Sequence, residues 1–161
     1  MKSNFDDFMM QVRIRNILTL AIVAVLAIHS CEENENETKI SSYNSTESHN
    51  AGQNCMGCHI SGGSGEGWFT VAGTVYDSTK AVTYPNATVG LYTGPEGTGS
   101  LIMEIEVNGL GNFYTTESID FGNGLYALVE GSLVTNHMNS KLSRGQCSSC
   151  HGASTDRIWV K

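Results

Sequence analysis

Two five-residue segments of the chain share one pattern of residues that can do chemistry. Residues 55–59 read CMGCH and residues 147–151 read CSSCH, so both have the form C-x-x-C-H. Two sulfurs three positions apart lie on the same side of a helical turn. The histidine that follows them adds an imidazole, which is the commonest metal ligand in proteins. Each segment can therefore bond a single group through two sulfurs and one nitrogen.

C-x-x-C-H is the attachment signal of c-type haem. The two cysteines form thioethers with one edge of the porphyrin, and the histidine binds the iron from the proximal side. The sequence therefore predicts two covalently attached haem c groups. The predicted attachment cysteines and proximal histidines are Cys55, Cys58, His59, Cys147, Cys150 and His151.

Two other uses of paired cysteines fit this sequence less well. A thioredoxin-like redox disulfide is found near a βαβ pattern, and the sequence shows none. Zinc ribbons typically place their two cysteine pairs about 15–20 residues apart. Here the whole of 59–146 separates the pairs, so haem is favoured over zinc.

Each haem iron also needs a distal ligand or an open position. His49 precedes Cys55 by six residues, an extended reach of roughly 20 Å, which is enough to pass round a haem edge. Residues 49–55 (HNAGQNC) also resemble the sequences that precede C-x-x-C-H in multihaem cytochromes, where that histidine is often axial. His49 is therefore a predicted ligand of the first iron.

The distal ligand of the second iron has two candidates, His137 and Met138. In an extended segment adjacent side chains point to opposite faces, so only one of the two can ligate. Counting histidines favours His137, whereas a methionine ahead of the second motif resembles other cytochromes. The choice matters because methionine–histidine ligation raises the reduction potential. The sequence leaves both open.

The N-terminal segment 1–30 is typical of a signal peptide. Arg13 and Arg15 precede an apolar run over 17–28, which is shorter than the 20 or so residues that span a bilayer. Residues 28–31 (IHSC) resemble a bacterial lipobox, and Cys31 is the one cysteine of five outside the two pairs. We expect an exported lipoprotein, anchored to a membrane at Cys31, at the outer-membrane surface or in the periplasm. Ordinary signal cleavage with a free Cys31 thiol is the alternative.

Residues 31–48 are acidic and polar, and 32–37 resemble the export signals that follow the lipidated cysteine of some Gram-negative surface lipoproteins. With almost nothing to bury, this segment is predicted to be a disordered tether. The whole chain has 161 residues and a net charge of −7, which argues against a nucleic-acid partner.

The middle of the chain, 67–133, has the pattern of an all-β domain. Eighteen glycines against two prolines accompany short alternating runs, and residues 101–107 place Leu101, Met103, Ile105 and Val107 on one face. Strands at this spacing predict an antiparallel β-sandwich. The predicted strands are 69–76, 87–93, 101–107, 112–116 and 125–129.

Four segments of this domain resemble the carboxypeptidase regulatory-like family: VAGTVYD at 71–77, ATVGLY at 87–92, GNFYT at 111–115 and GLYALV at 124–129. The resemblance implies a transthyretin-like β-sandwich that is a scaffold or adhesive module without catalysis. The expected fold class is therefore mainly β, with the sandwich flanked by two short irregular or helical haem-binding segments, 49–66 and 134–161.

These features predict a dihaem c-type cytochrome that passes single electrons to other redox proteins or to copies of itself. If the two haem segments lie at opposite ends of the sandwich, transfer runs between molecules in head-to-tail contact, which can build filaments. Alternatively, residues 133–146 can span roughly 45 Å and fold back beside the first haem.

Two other functions are the alternatives to an electron carrier. One is a haem enzyme with an open iron, such as a peroxidase or small-oxoanion reductase, and the other is a cell-surface binding module. No catalytic residue is predicted, and an electron-transfer protein is favoured over an enzyme.

Overall fold

The structure is a computed structural model that describes Met10 and residues 36–161. The predicted lipidation site Cys31 and, apart from Met10, the predicted signal peptide 1–30 lie outside the described residues. Within the described part, no helix has the length and apolar character needed to cross a membrane. Residues 36–161 form one compact unit.

Residues 36–161 contain eight strands and three short 3₁₀ turns. The strands are β1 (Val71–Tyr76), β2 (Thr88–Tyr92), β3 (Leu101–Glu106), β4 (Asn112–Thr115), β5 (Tyr126–Glu130), β6 (Thr135–His137), β7 (Gly145–Gln146) and β8 (Ile158–Trp159). The turns are Cys55–Gly57, Pro95–Gly97 and Cys147–Ser149. All five predicted strands are present, and the prediction of a mainly β protein is confirmed.

The strands form two four-stranded sheets that are mostly antiparallel. In the first sheet β1 pairs antiparallel with β4, while β7 and β8 pair parallel with the two ends of β1. The second sheet has the order β3-β2-β5-β6 and is antiparallel throughout. This arrangement is consistent with a β-sandwich.

One apolar cluster joins the inner faces of both sheets. Its members alternate along their strands with outward-facing residues, as a pleated sheet requires. Removing each of the larger side chains (Val, Leu, Ile and Phe) from water contributes roughly 1.5–3 kcal/mol. The buried cluster comprises Val71, Val75, Ala87, Val89, Leu91, Ile105, Val107, Phe113, Leu125, Val129 and Val160.

The predicted inner face of β3 is correct except at its first residue. Ile105 and Val107 are buried and Met103 packs against the core, but Leu101 is 47% exposed. The β2–β3 register shifts at this point, where Tyr92 faces Leu101 instead of continuing the alternation. A bulge of this kind bends the strand and turns the side chains beyond it.

Residues 36–48 do not form the disordered tether that the sequence predicted. Ile40 forms a bridge with Thr115, and the Ser41 amide donates to the Tyr114 carbonyl at 2.9 Å. The Ser41 hydroxyl also donates to the carbonyl of Glu106 at 2.6 Å. The segment thus covers the free edge of β4, which would otherwise present unpaired backbone groups. The polar composition of 36–48 did not predict this pairing with β4, because the contacts are made mainly by backbone atoms and small hydroxyl groups.

The second predicted haem segment, 134–161, is part of the sandwich rather than a separate flank. It supplies β6 to one sheet and β7 and β8 to the other. At Gly145, a Cβ would lie 2.2 Å from the carbonyl oxygen of Thr70, so only glycine allows β7 to approach β1 this closely. The predicted boundary at 133 therefore does not separate two structural units.

Candidate functional site

The two C-x-x-C-H segments have the same backbone structure. In each, a 3₁₀ turn begins at the first cysteine, and the second cysteine donates its amide to the carbonyl of the first at 3.2 Å. The following histidine amides, of His59 and His151, bond to the same carbonyls at 3.0 Å. The chain thus builds one local structure twice.

Both histidines of these segments have their ring oriented by a backbone carbonyl. His59 Nδ1 lies 3.0 Å from the carbonyl oxygen of Glu66, and His151 Nδ1 lies 2.7 Å from that of Asp156. A carbonyl only accepts hydrogen bonds, so Nδ1 carries the proton in each neutral ring. Nε2 then has a free lone pair, and metal-binding histidines are usually oriented by an acceptor in this way.

The first motif borders a cavity of about 540 Å³, which we call the first cavity. It lies on the outer face of the β1–β4 pair, beside Tyr114. A continuous row of rings runs along it: His49 to His59 with centres 5.7 Å apart, His59 to Phe69 at 4.2 Å, and Phe69 to Tyr114 at 4.7 Å. The ring planes of His59 and Phe69 are within 9° of parallel.

The structure brings His49 and His59 together at one end of this row. Two imidazoles that bind one metal ion through bonds of about 2.0–2.1 Å have ring centres roughly 6 Å apart. The observed separation of 5.7 Å is close to that distance, with the two ring planes tilted by 35°. Gly65 makes room for this arrangement, because a Cβ there would lie 2.7 Å from His59 Nδ1. The sequence did not predict a role for Gly65.

The second motif borders a cavity of about 500 Å³, which we call the second cavity. It opens between β5 and β6 of one sheet and β7 and β8 of the other. Its floor includes the core side chains of Phe113 and Val129. Its lining also includes charged residues of both signs: Lys141, Arg144, Asp156 and Arg157. An apolar interior with a few charged groups is the usual composition of a small-molecule or cofactor site.

The β5–β6 register separates the two candidate distal ligands of this cavity. Val129 pairs with Asn136 and Leu128 pairs with His137, and paired residues point to the same side of a sheet. Val129 belongs to the buried core, so Asn136 points inward. Met138 follows two positions later and, by alternation, also points inward.

His137 points to the outer face although its residue borders the second cavity. Its Nε2 lies 3.5 Å from Glu96 Oε1. Gly97, next to Glu96, lies close to the Leu128 side chain, since a Cβ added to it would be 3.0 Å away. The Pro95–Gly97 turn therefore covers the outer face of β5 and β6. Of the two residues that the sequence left open, Met138 is therefore the one that the fold directs toward the second motif.

The two motifs lie back to back against the same strand. Both 3₁₀ turns contact β1. The first cavity is bordered by Asn112 and Tyr114, which alternate with Phe113 of the second cavity. At Gly73 of β1, a Cβ would lie 2.6 Å from the Phe113 ring and 3.0 Å from Cys147 Cβ. Residues 133–146 thus fold back, and the body of the sandwich does not separate the motifs.

Burial and like charge keep the Cys147 thiol protonated. Desolvation raises the pKa of Cys147 to about 12, and the charges of Cys55 and Cys150 add to this rise. Desolvation also raises the pKa of Cys55. All four cysteines of the two motifs are free of disulfides. Redox-active cysteines have a lowered pKa, whereas the pKa values of Cys55 and Cys147 are raised.

Among the described residues, no group of three or more histidine, cysteine or acidic side chains has an arrangement that would hold a metal ion. Comparisons of the chain with protein-family models, with curated proteins and with solved structures found no match. The resemblances to multihaem cytochromes and to the carboxypeptidase regulatory-like family therefore stay predictions.

Proposed function

We propose that the protein is an exported dihaem c-type cytochrome that carries single electrons. One observation carries this proposal: the chain builds the C-x-x-C-H turn twice, and in both copies a backbone carbonyl fixes the histidine with Nε2 free. Each copy also faces a cavity within the 300–1,000 Å³ typical of cofactor sites.

In the first site, Cys55 and Cys58 would form the thioethers, with His59 and His49 as the axial ligands of the iron. His49 is supported by its ring separation from His59. A haem c supplies a reversible one-electron couple at its iron. The residues of this site would hold that group and orient its ligands, with the rings of Phe69 and Tyr114 lining the same cavity.

In the second site, Cys147 and Cys150 would form the thioethers and His151 would be the proximal ligand. Met138 is proposed as the distal ligand because β6 directs it inward and His137 outward. Lys141 and Arg144 of the cavity lining could pair with the two carboxylates of a haem, since guanidinium and ammonium groups bind carboxylates strongly. The Arg157 guanidinium instead bonds to the Lys80 carbonyl at 2.8 Å.

Electron transfer is favoured over catalysis because each site offers two axial ligands. A haem enzyme needs one open position on the iron and acid–base groups beside it. The remaining candidate, His137, faces Glu96 on the outer side of β6. The back-to-back placement on β1 also favours transfer within one chain over the end-to-end contacts that filament formation requires.

Export and a lipid anchor at Cys31 complete the proposal, with other redox proteins as electron partners. Covalent attachment suits an exported protein because thioethers retain the cofactor in dilute surroundings.

A reductive titration with ligand challenge tests this function. The protein is expressed with cytochrome c maturation machinery and titrated anaerobically with dithionite while its optical spectrum is followed. We expect two electrons to be taken up per chain, with both haems low-spin in the oxidised and reduced states. Carbon monoxide should leave the reduced spectrum unchanged. Rapid binding of carbon monoxide to one haem would instead show an open iron and favour the enzyme alternative.

A further inference from the structure

Each of the two motifs is accompanied by a lysine–carboxylate ion pair of the same construction. Lys39 Nζ lies 2.6 Å from Glu66 Oε1, and Lys80 Nζ lies 2.6 Å from Asp156 Oδ2. We call these pairs the first clamp and the second clamp. Glu66 and Asp156 are also the two residues whose backbone carbonyls orient His59 and His151. The same residue thus binds a lysine with its side chain and a proximal histidine with its main chain.

The lysine of each clamp comes from a segment that is itself fixed to the sandwich. The Lys39 carbonyl accepts the Thr116 amide at 2.8 Å, next to the edge of β4. Lys80 lies in the turn after β1, where its amide donates to Asp77 at 2.9 Å. Arg157 adds a bond from its guanidinium to the Lys80 carbonyl at 2.8 Å. Both clamps therefore tie a loop that carries an acceptor carbonyl to the rigid body of the domain.

Stability alone does not explain why this construction occurs twice. The carboxylates of both pairs are largely exposed, at 84% for Glu66 and 82% for Asp156, and exposed ion pairs contribute little to folding. What the two pairs share is that the residue supplying the carboxylate also supplies the carbonyl that accepts from the histidine. The hydrogen bond from Lys39 also lowers the pKa of Glu66, and that from Lys80 lowers the pKa of Asp156, so both carboxylates are ionised at neutral pH.

We propose that Lys39–Glu66 and Lys80–Asp156 are positioning pairs that hold the acceptor carbonyls of His59 and His151 and thereby tune the two irons separately. This inference rests on the proposed haem function. An acceptor held firmly at Nδ1–H makes the imidazole a more basic ligand. A more basic ligand stabilises the oxidised iron, so each clamp lowers the reduction potential of its own haem. None of these four side chains is a predicted iron ligand.

The test compares variants that break one clamp without changing the net charge. Lys39→Met with Glu66→Gln removes one positive and one negative charge together and leaves the Glu66 carbonyl in the backbone. Lys80→Met with Asp156→Asn does the same at the second site. Lys39→Arg and Lys80→Arg are the matched controls, because they keep both the charge and the pair.

Two readouts follow in the haem-loaded protein. Spectroelectrochemistry should show a higher midpoint potential for the haem whose clamp is broken and no change at the other haem. Nuclear magnetic resonance should show the Nδ1 proton of the same histidine exchanging with solvent roughly two- to fivefold faster, as the loss of an exposed pair implies. Both Lys→Arg variants should behave like the unmodified protein.

The outcomes separate this inference from the proposed function. Two bound haems whose potentials and Nδ1 exchange rates are unchanged in both neutral double variants would overturn the clamps and leave the cytochrome intact. Equal shifts at both haems would also overturn them, since a general loosening of the fold is not positioning. Protein that binds no haem under maturation conditions would overturn the proposed function and the clamps together.

Discussion

The nitrogen that carries the proton in His59 and His151 decides whether each ring can bind a metal ion. In His59 and His151 the proton is held at Nδ1 by a carbonyl of the following loop. Nε2 is left as the free nitrogen in both rings. The position of the His59 ring also requires glycine at residue 65, because any Cβ there would overlap the ring.

The adjacent residues His137 and Met138 give the sharpest prediction at this scale. Met138→Ala is expected to remove the distal ligand of the second haem, so that half of the haem absorbance changes from low-spin to high-spin. His137→Ala is the matched control and should leave both haems low-spin, since His137 faces Glu96. Optical and electron paramagnetic resonance spectra of the two variants measure this. A high-spin signal from His137→Ala alone would show that the ligand is the histidine.

The sequence identified the motif residues but could not choose between these two neighbours. C-x-x-C-H is a local pattern, so its six key positions can be read without knowing the fold. The direction of Met138 depends on the pairing of β6 with β5, which brings Leu128 opposite His137. A three-residue strand such as β6 has too little alternation to reveal its inner face. Register between strands is a property of the folded sheet and not of the segment.

Among the strands, β1 is the one that both C-x-x-C-H turns contact. It pairs with β4 along one edge and receives β7 and β8 at its two ends. The five longer strands were predictable because their alternating residues follow the pleat. The strands β7 and β8 have two residues each, too few for any periodicity, and they form only because β1 offers them backbone partners. The role of 36–48 was missed because its contacts with β4 are made mainly by backbone atoms and small hydroxyl groups.

The edge segment 36–48 can be tested through Ser41, which is 3% exposed. Its hydroxyl donates to the Glu106 carbonyl and accepts the Tyr114 amide at 3.0 Å. Ser41→Ala leaves these buried backbone groups without that partner, and we expect a loss of about 1–3 kcal/mol in the free energy of unfolding. Denaturant titration of both variants measures it, with the exposed Ser42→Ala as control.

Equal unfolding free energies for Ser41→Ala and Ser42→Ala would contradict this placement of the segment. They would return 36–48 to the flexible tether that its composition suggests, and the first clamp would then lack a fixed base for Lys39.

At the scale of the whole molecule, the two sites differ while their motifs are alike. The first is lined by polar groups and a row of rings, and the second opens into the apolar core beside Phe113 and Val129. Burial and a methionine ligand both raise the potential of a haem relative to an exposed bis-histidine one. One chain therefore has two cavities of different character on opposite faces of a single sheet, and under the proposed function these would be two different electron sites.

This asymmetry predicts a redox titration in two resolved steps. The second haem should have the higher midpoint potential and should be reduced first. Cys147→Ala with Cys150→Ala should remove the higher step, and Cys55→Ala with Cys58→Ala should remove the lower one. Spectroelectrochemistry of the three proteins assigns the steps. A higher step that persists without the second motif would reverse the assignment of the sites.

Both proposed sites require that four sulfurs of this chain are bonded to two porphyrins, and intact-mass spectrometry detects those bonds. The protein is expressed with cytochrome c maturation machinery and denatured to release any cofactor that is not covalently bound. Its intact mass is then measured. We predict the mass of the polypeptide plus two haems, falling by one haem in each paired cysteine variant. A polypeptide mass without haem, or with the same haem count in all three proteins, would contradict the claim.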